Sequence, residues 1–192
     1  MLNSVTERIN QIANSLLSQS NFLQSKKSAS GDVKVKEHEN FVRHELGPVL
    51  EAIVNEKVIQ YSNHKRIVIE KDLAEGFGLY SNFDKFEFCR IISNLINNSV
   101  EAIVESGFVK ISIRKHQMSN MIVIHDSGKG MPKDFISQIG RKSFSFGKEN
   151  GSGLGLYHAT NTIEKFGGTL IFETREFVGT MVSIKLPAAD AP

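Results

Sequence analysis

One cysteine, no tryptophan and a net charge of only +2 in 192 residues leave little room for several common chemistries. The lone thiol, Cys89, closes no disulfide within the chain, and the six scattered histidines build no zinc-type ligand cluster with it. Its place inside an apolar helical run reads as core filling rather than as a nucleophile, and such sparse cysteine suits a reducing, cytoplasmic setting. The near-neutral charge supplies no basic field for nucleic acid or for an acidic membrane surface. No apolar run approaches the eighteen or so residues of a membrane-spanning helix, and no signal peptide opens the sequence. No membrane contact by this chain is therefore expected. At 40% hydrophobic and 23% charged residues, the composition is that of a globular protein long enough to bury a full core.

Against this ordinary background one stretch stands out. Residues 86–105 place Ile91, Leu95 and Ala102, and Ile92, Ile96, Val100 and Ile103, at three- and four-residue spacing, which predicts a helix. At about 100° per residue, Asn94, Asn97, Asn98, Glu101 and Glu105 fall into one narrow polar wedge. Asparagine is a weak helix former that competes with its own backbone, so three of them in five residues ask for a reason beyond solvation. An amide oxygen coordinates a hard cation such as Mg²⁺ without adding charge. The wedge alone suits a solvated face and a ligand-facing one equally.

The rest of the chain falls into order around that helix. Residues 1–20 carry Leu2, Val5, Ile9, Ile12 and Leu16 as a heptad stripe, predicting a helix that pairs with a second copy or with other helices. Residues 21–39, with Lys26-Lys27-Ser28-Ala29-Ser30-Gly31-Asp32, carry Ser, Lys and a glycine and read as a linker. The main domain is expected over 40–187, followed by a tail at 188–192. It opens with a helix through Leu46, Val49, Leu50, Ile53 and Val54, with Pro48 in its first turn. Strands are expected at 66–70, 108–115 and 121–125, the last two joined by a turn at 117–120. Asn82 or Asp84 should cap the central helix. A short helix follows at 132–139, then a Gly-, Ser- and Lys-rich loop at 140–153. A helix at 154–166 is stopped by Gly167–Gly168, and strands at 169–174 and 180–186 turn around Val178–Gly179. Mixed strand and helix order favours an α+β, two-layer α/β sandwich over a doubly wound parallel sheet.

Two glycine clusters decide the character of the wedge. Asp126-Ser127-Gly128-Lys129-Gly130 follows a strand, putting a carboxylate at a sharp turn at the sheet edge. By itself this is weak evidence, since any tight turn uses Asp and Gly. Asn150-Gly151-Ser152-Gly153-Leu154-Gly155-Leu156 opens a helix, where backbone N–H groups and the helix dipole favour phosphate. It matches neither a Walker A loop nor a Rossmann fingerprint.

In that order, the Asn-rich helix, the D-x-G-x-G turn and the G-x-G-L-G-L helix start resemble the N box and the two glycine boxes of the Bergerat-fold (GHKL) ATPases. The resemblance is to the catalytic domain of bacterial sensor histidine kinases and covers roughly residues 40–187. It implies a mixed sheet packed on about three helices, with an N-terminal helix similar to the end of the second dimerisation helix. It also implies ATP and Mg²⁺ as cofactors. Asn98 then matches the Mg²⁺-binding asparagine, and Asn94 the other N-box asparagine near the phosphates. Asp126 matches the aspartate that accepts from the adenine amino group, with Thr180 helping to hold it. Gly128 and Gly130 let the chain pass close to the base. Residues 140–153 match the ATP lid; Gly151, Gly153, Leu154 and Gly155 form its phosphate-facing hinge. Phe144 and Phe146 match an aromatic box or simply pack. Lys148, and less directly Lys142 or Arg141, reach the terminal phosphates or serve only solubility.

Family members that hydrolyse ATP place a Glu where Asn94 stands, so the resemblance implies transfer to a separately presented histidine. His44-Glu45-Leu46-Gly47-Pro48 imitates a phosphoacceptor box, but Pro48 comes one residue early and the segment follows the supposed dimerisation helix. His44 is therefore expected to be incidental, at the start of the first domain helix, and the fragment is expected to be inactive in autophosphorylation. Expected partners are ATP, the dimerisation and phosphoacceptor domain, indirectly a response regulator, and a second copy through the N-terminal helix. Two alternatives stay open: an anti-sigma-type Ser/Thr kinase, against which Asn94 counts, and a non-enzymatic nucleotide-binding or dimerising module. Few polar anchors in a shallow site predict Mg-ATP affinity on the order of micromolar to millimolar.

Overall fold

A computed structural model describes residues 41–63, 66–132 and 154–192, all within the unit Asn40–Pro192. The expected heptad helix, linker and lid lie outside the described residues, as does the expected helix at 132–139 beyond Pro132.

The element order is β1 (Val42–Glu45), α1 (Leu46–Gln60), β2 (Ile67–Asp72), a 3₁₀ turn (Ala74–Gly76), β3 (Tyr80–Phe83), α2 (Lys85–Ala102), β4 (Gly107–His116), β5 (Ser119–Asp126), α3 (Leu154–Lys165), β6 (Thr169–Arg175) and β7 (Gly179–Pro187). Five strands form one mixed sheet in the order β2-β4-β5-β7-β6, and β1 and β3 pair separately. β2 runs parallel to β4, whereas the remaining neighbours are antiparallel. A parallel pair needs a crossover, and α2 lies within it.

Alternation sets the two layers. Along β5, Asn120, Ile122, Ile124 and Asp126 face inward while their neighbours are half-exposed. Val109, Ile111 and Ile113 of β4 and Val182, Ile184 and Leu186 of β7 do the same. These side chains meet Leu46, Leu50 and Val54 of α1, Phe88, Ile92, Leu95 and Ile96 of α2, and Ala159 and Ile163 of α3 in one core. Each large apolar side chain buried there contributes roughly 1.5–3 kcal/mol. The result is the two-layer sandwich that the element order predicts, with three α-helices among the described residues.

Asp84 caps α2, its carboxylate accepting from the Glu87 N–H at 2.8 Å. The helix ends at Ala102, earlier than the sequence pattern implies, because the chain after Asp126 stops it. The Lys129 N–H donates to the Ala102 carbonyl at 2.9 Å. Glu105 therefore lies beyond the helix. The first stretch also differs from expectation: His44 sits in strand β1, opposite Ser81, before the first helix begins. Its ring packs 5.0 Å from that of Phe83, itself 4.4 Å from Phe88. The β4–β5 hairpin turns on Gln117, at φ 55°, and Met118. Gly167, at φ 76°, ends the last helix with the Gly168 N–H returned to the Ile163 carbonyl at 2.9 Å. The residues read as a tail lie along β3, where the Ala189 N–H reaches the Tyr80 carbonyl at 2.7 Å.

Candidate functional site

Asp126 is the last residue of β5, opposite Val109 on β4 and Thr180 on β7. It is therefore enclosed between two strands rather than set at an edge, and only 2% of its surface is exposed. Its Oδ1 accepts from the Gly128 N–H at 2.9 Å and the Thr180 N–H at 3.2 Å. The Ser99 hydroxyl, from α2, also hydrogen-bonds the carboxylate. Burial pushes the Asp126 carboxyl above the ordinary aspartate range; these hydrogen bonds and the nearby His125 pull partly against it. A buried carboxylate with this few partners retains acceptor capacity for one more donor.

The turn after Asp126 is held from both sides. A Cβ on Gly128 would lie 2.7 Å from the Ala102 Cβ and 2.8 Å from the Ala102 carbonyl oxygen. Gly130 has φ +63°, and a Cβ there would overlap the Arg175 carbonyl. Close packing on α2 and on the β6–β7 hairpin thus requires both glycines even without a ligand. Thr180 is buried, its hydroxyl 3.1 Å from that of Thr174, which accepts from the Met131 N–H at 2.9 Å.

The other half of the site comes from α2 and the start of α3. A Cβ on Gly155 would lie 2.6 Å from Asn94 Nδ2, so this glycine lets the first turn of α3 seat directly on the asparagine. Asn98 is half-buried one turn farther along α2, and Ser99 beside it reaches Asp126. Asn94, Asn98, Asp126, Thr180 and Gly155 are thus linked through α2 and its neighbours. Asn97, from the same wedge, does not join them: the Tyr61 hydroxyl donates to its Oδ1 at 3.1 Å from the end of α1. Lys148, Gly151 and Gly153, with Arg141, Lys142, Phe144 and Phe146, lie outside the described residues, and the backbone of Leu154 begins α3.

Among the described residues no group of three or more His, Cys, Asp or Glu is placed to hold a metal ion. Cys89 is half-buried against the core, and burial pushes its thiol upward, consistent with filling. Sequence reasoning missed Ser99, whose only signal was a small polar residue beside Asn98. It also missed a cluster farther down α2: Arg90 Nη2 lies 2.9 Å from Glu87 Oε2, and His158 of α3 hydrogen-bonds both residues. The Glu87–Arg90 spacing of three residues was its one visible sign.

Residues 83–190 match the family model described as histidine kinase-, DNA gyrase B- and HSP90-like ATPase. Among curated proteins, sporulation kinase C of Bacillus subtilis (strain 168) is 31% identical over 147 residues, covering 77% of this chain and 34% of the relative. Sporulation kinase B of the same strain is 33% identical over 143 residues, covering 72% and 33%. This chain spans about a third of the length of these relatives. Among solved structures, the mycobacterial sensor histidine kinase MprB superposes with a TM-score of 0.65 at 20% identity, over 79% of this chain and 99% of the other. The catalytic domain of histidine kinase ThkA gives a TM-score of 0.60 at 24% identity, over 77% and 95%. At such identities the structural likeness speaks for the fold.

Proposed function

The chain belongs to the histidine kinase-, DNA gyrase B- and HSP90-like ATPases, and from that membership we propose that it is the ATP-binding catalytic part of a sensor histidine kinase. It transfers the γ-phosphoryl group of Mg-ATP to a histidine nitrogen on a dimerisation domain, releasing ADP. The observation that carries this reading is the enclosed Asp126 carboxylate, held by the Gly128 and Thr180 amides and tied through Ser99 to the helix bearing Asn98 and Asn94. A buried acceptor of this kind suits the adenine amino group. Asn98 would hold Mg²⁺, which supplies charge neutralisation on the phosphates when bound.

Phosphoryl transfer asks the protein for positioning and electrostatics more than for covalent chemistry. Asn94, seated against Gly155, orients the phosphates, and its amide has no basicity with which to activate water. That favours a presented nucleophile over hydrolysis. His44 packs on Phe83 in a strand, a placement that supports a structural role rather than acceptance of phosphate. Among the described residues no helix is long and apolar enough to cross a membrane. In this reading the domain works in the cytoplasm with a dimerisation domain, a response regulator downstream and a second copy joined through the N-terminal helix. Lys148 is assigned to the terminal phosphate.

The test is transfer of labelled phosphate from ATP to a separately supplied dimerisation domain. Acid-labile label is expected on that domain, abolished by Asn98→Ala, with little on this chain. Strong labelling of the chain alone, lost in His44→Gln, would overturn the assignment.

A further inference from the structure

The cluster of Glu87, Arg90 and His158 sits beyond the residues the proposed function uses, on the same side of α2. Asn94 lies four residues after Arg90 and therefore one turn along, on the same helix face. The α2–α3 contact runs antiparallel: Gly155 meets Asn94, and His158, one turn into α3, meets Glu87 and Arg90. Taking Ser99 as the marker of the Asp126 end, Arg90 lies nine residues back, about 13 Å at 1.5 Å per residue. That track, from enclosed carboxylate past Asn98 and Asn94 to a guanidinium, spans the length of an extended nucleoside triphosphate.

Arg90 is also held in position rather than free. Its Nη2 meets Glu87 Oε2 at 2.9 Å and hydrogen-bonds His158 Nε2. His158 Nε2 in turn lies 2.8 Å from Glu87 Oε2 and 3.3 Å from Thr162 Oγ1. An unprotonated Nε2 accepts from Arg90, and a protonated one donates to Glu87; in both arrangements Glu87 still anchors the guanidinium. Among the described residues Arg90 is engaged through Nη2, and 27% of its side chain is exposed. Among the described residues, Nη1 and Nε meet no partner, and either donor can reach a ligand oxygen.

We infer that Arg90, oriented by Glu87 and His158, binds the terminal phosphate and sets the preference of this site for ATP over ADP. The inference rests on the proposed function, since it presumes a nucleotide running from Asp126 towards the start of α3. The bland counterpart is an ion pair that merely joins α2 to α3.

Calorimetric titration of the whole chain with Mg-ATP and with Mg-ADP separates the two. Arg90→Gln is expected to weaken ATP about tenfold while ADP changes by less than about twofold. Arg90→Lys, which keeps the charge but loses the fork, should lose about threefold for ATP alone. Equal weakening of both nucleotides, or of neither, overturns the inference. If Arg90→Gln does not fold, Arg90→Lys decides by the same ratio. Wild type that binds both nucleotides equally tightly also overturns it while leaving the proposed function standing. Wild type that binds neither sinks the proposed function first, and the inference with it.

Discussion

The two ends of the proposed nucleotide site are made of different material. The Asp126 end is enclosed by β4, β5 and β7, its carboxylate gripped by backbone amides and its turn wedged between the end of α2 and the β6–β7 hairpin. The Asn94 end is half-exposed and relies on side chains projecting from α2 towards the first turn of α3. At the first end, the atoms proposed for recognition are also the ones that pack. At the second, the chemistry rides on a helix whose buried face, Ile91, Ile92, Leu95 and Ile96, holds it in place independently. Changes at Asp126 should therefore move both binding and stability, whereas changes at Asn98 should act more on binding than on stability.

The largest expected effect is at the enclosed end. Asp126→Ala removes the acceptor for the base and leaves the Gly128 and Thr180 amides unpaired, so ATP affinity should fall about a hundredfold and adenine selectivity should vanish. Competition between ATP and GTP measures this; retained discrimination would remove Asp126 from the site. Next comes Asn98→Ala, expected to weaken ATP about tenfold in the presence of Mg²⁺ and hardly at all in its absence, with a smaller drop in melting temperature than Asp126→Ala causes. A large drop in melting temperature would break the contrast between the two ends. The smallest effect sharpens it. Because burial raises the Asp126 carboxyl in the folded chain, folding disfavours the ionised form. Wild-type stability should thus decline as pH rises from the ordinary carboxylate range through the raised folded value. Asp126→Asn keeps an acceptor without the charge, so its melting temperature should match wild type in acid and exceed it above that window. A variant no more stable at neutral pH than wild type would show that the hydrogen bonds outweigh the burial.

Much of this was legible from local pattern. The central helix announced itself by periodicity and by Asp84, the β4–β5 hairpin by alternation, and the stop of α3 by Gly167–Gly168. What escaped was set by contacts distant in sequence. β1 is four residues, Val-Arg-His-Glu, with no alternation to mark it, and is a strand because Tyr80–Phe83 lies beside it. α2 ends at Ala102 because Lys129 and Gly128 arrive there, which no periodicity records. Within the proposed site, the motifs pointed to Asp126, Asn94, Asn98 and Gly155, yet could not separate Asn97, which Tyr61 claims for α1. Ser99 and Arg90 were hidden for the complementary reason: their meaning depends on what β5 and α3 bring opposite them.

Asn94 meets Gly155, and Asp126 meets Thr180, only after α2 has packed on α3 and β5 has paired with β7. An unfolded chain holds no fragment of that arrangement strong enough to grip a ligand. Saturating nucleotide would consequently act as a thermodynamic brace, adding about 2.7 kcal/mol at a hundredfold excess over its dissociation constant. Release of nucleotide would, by the same linkage, return that margin and bring the folded domain closer in free energy to its own disassembly.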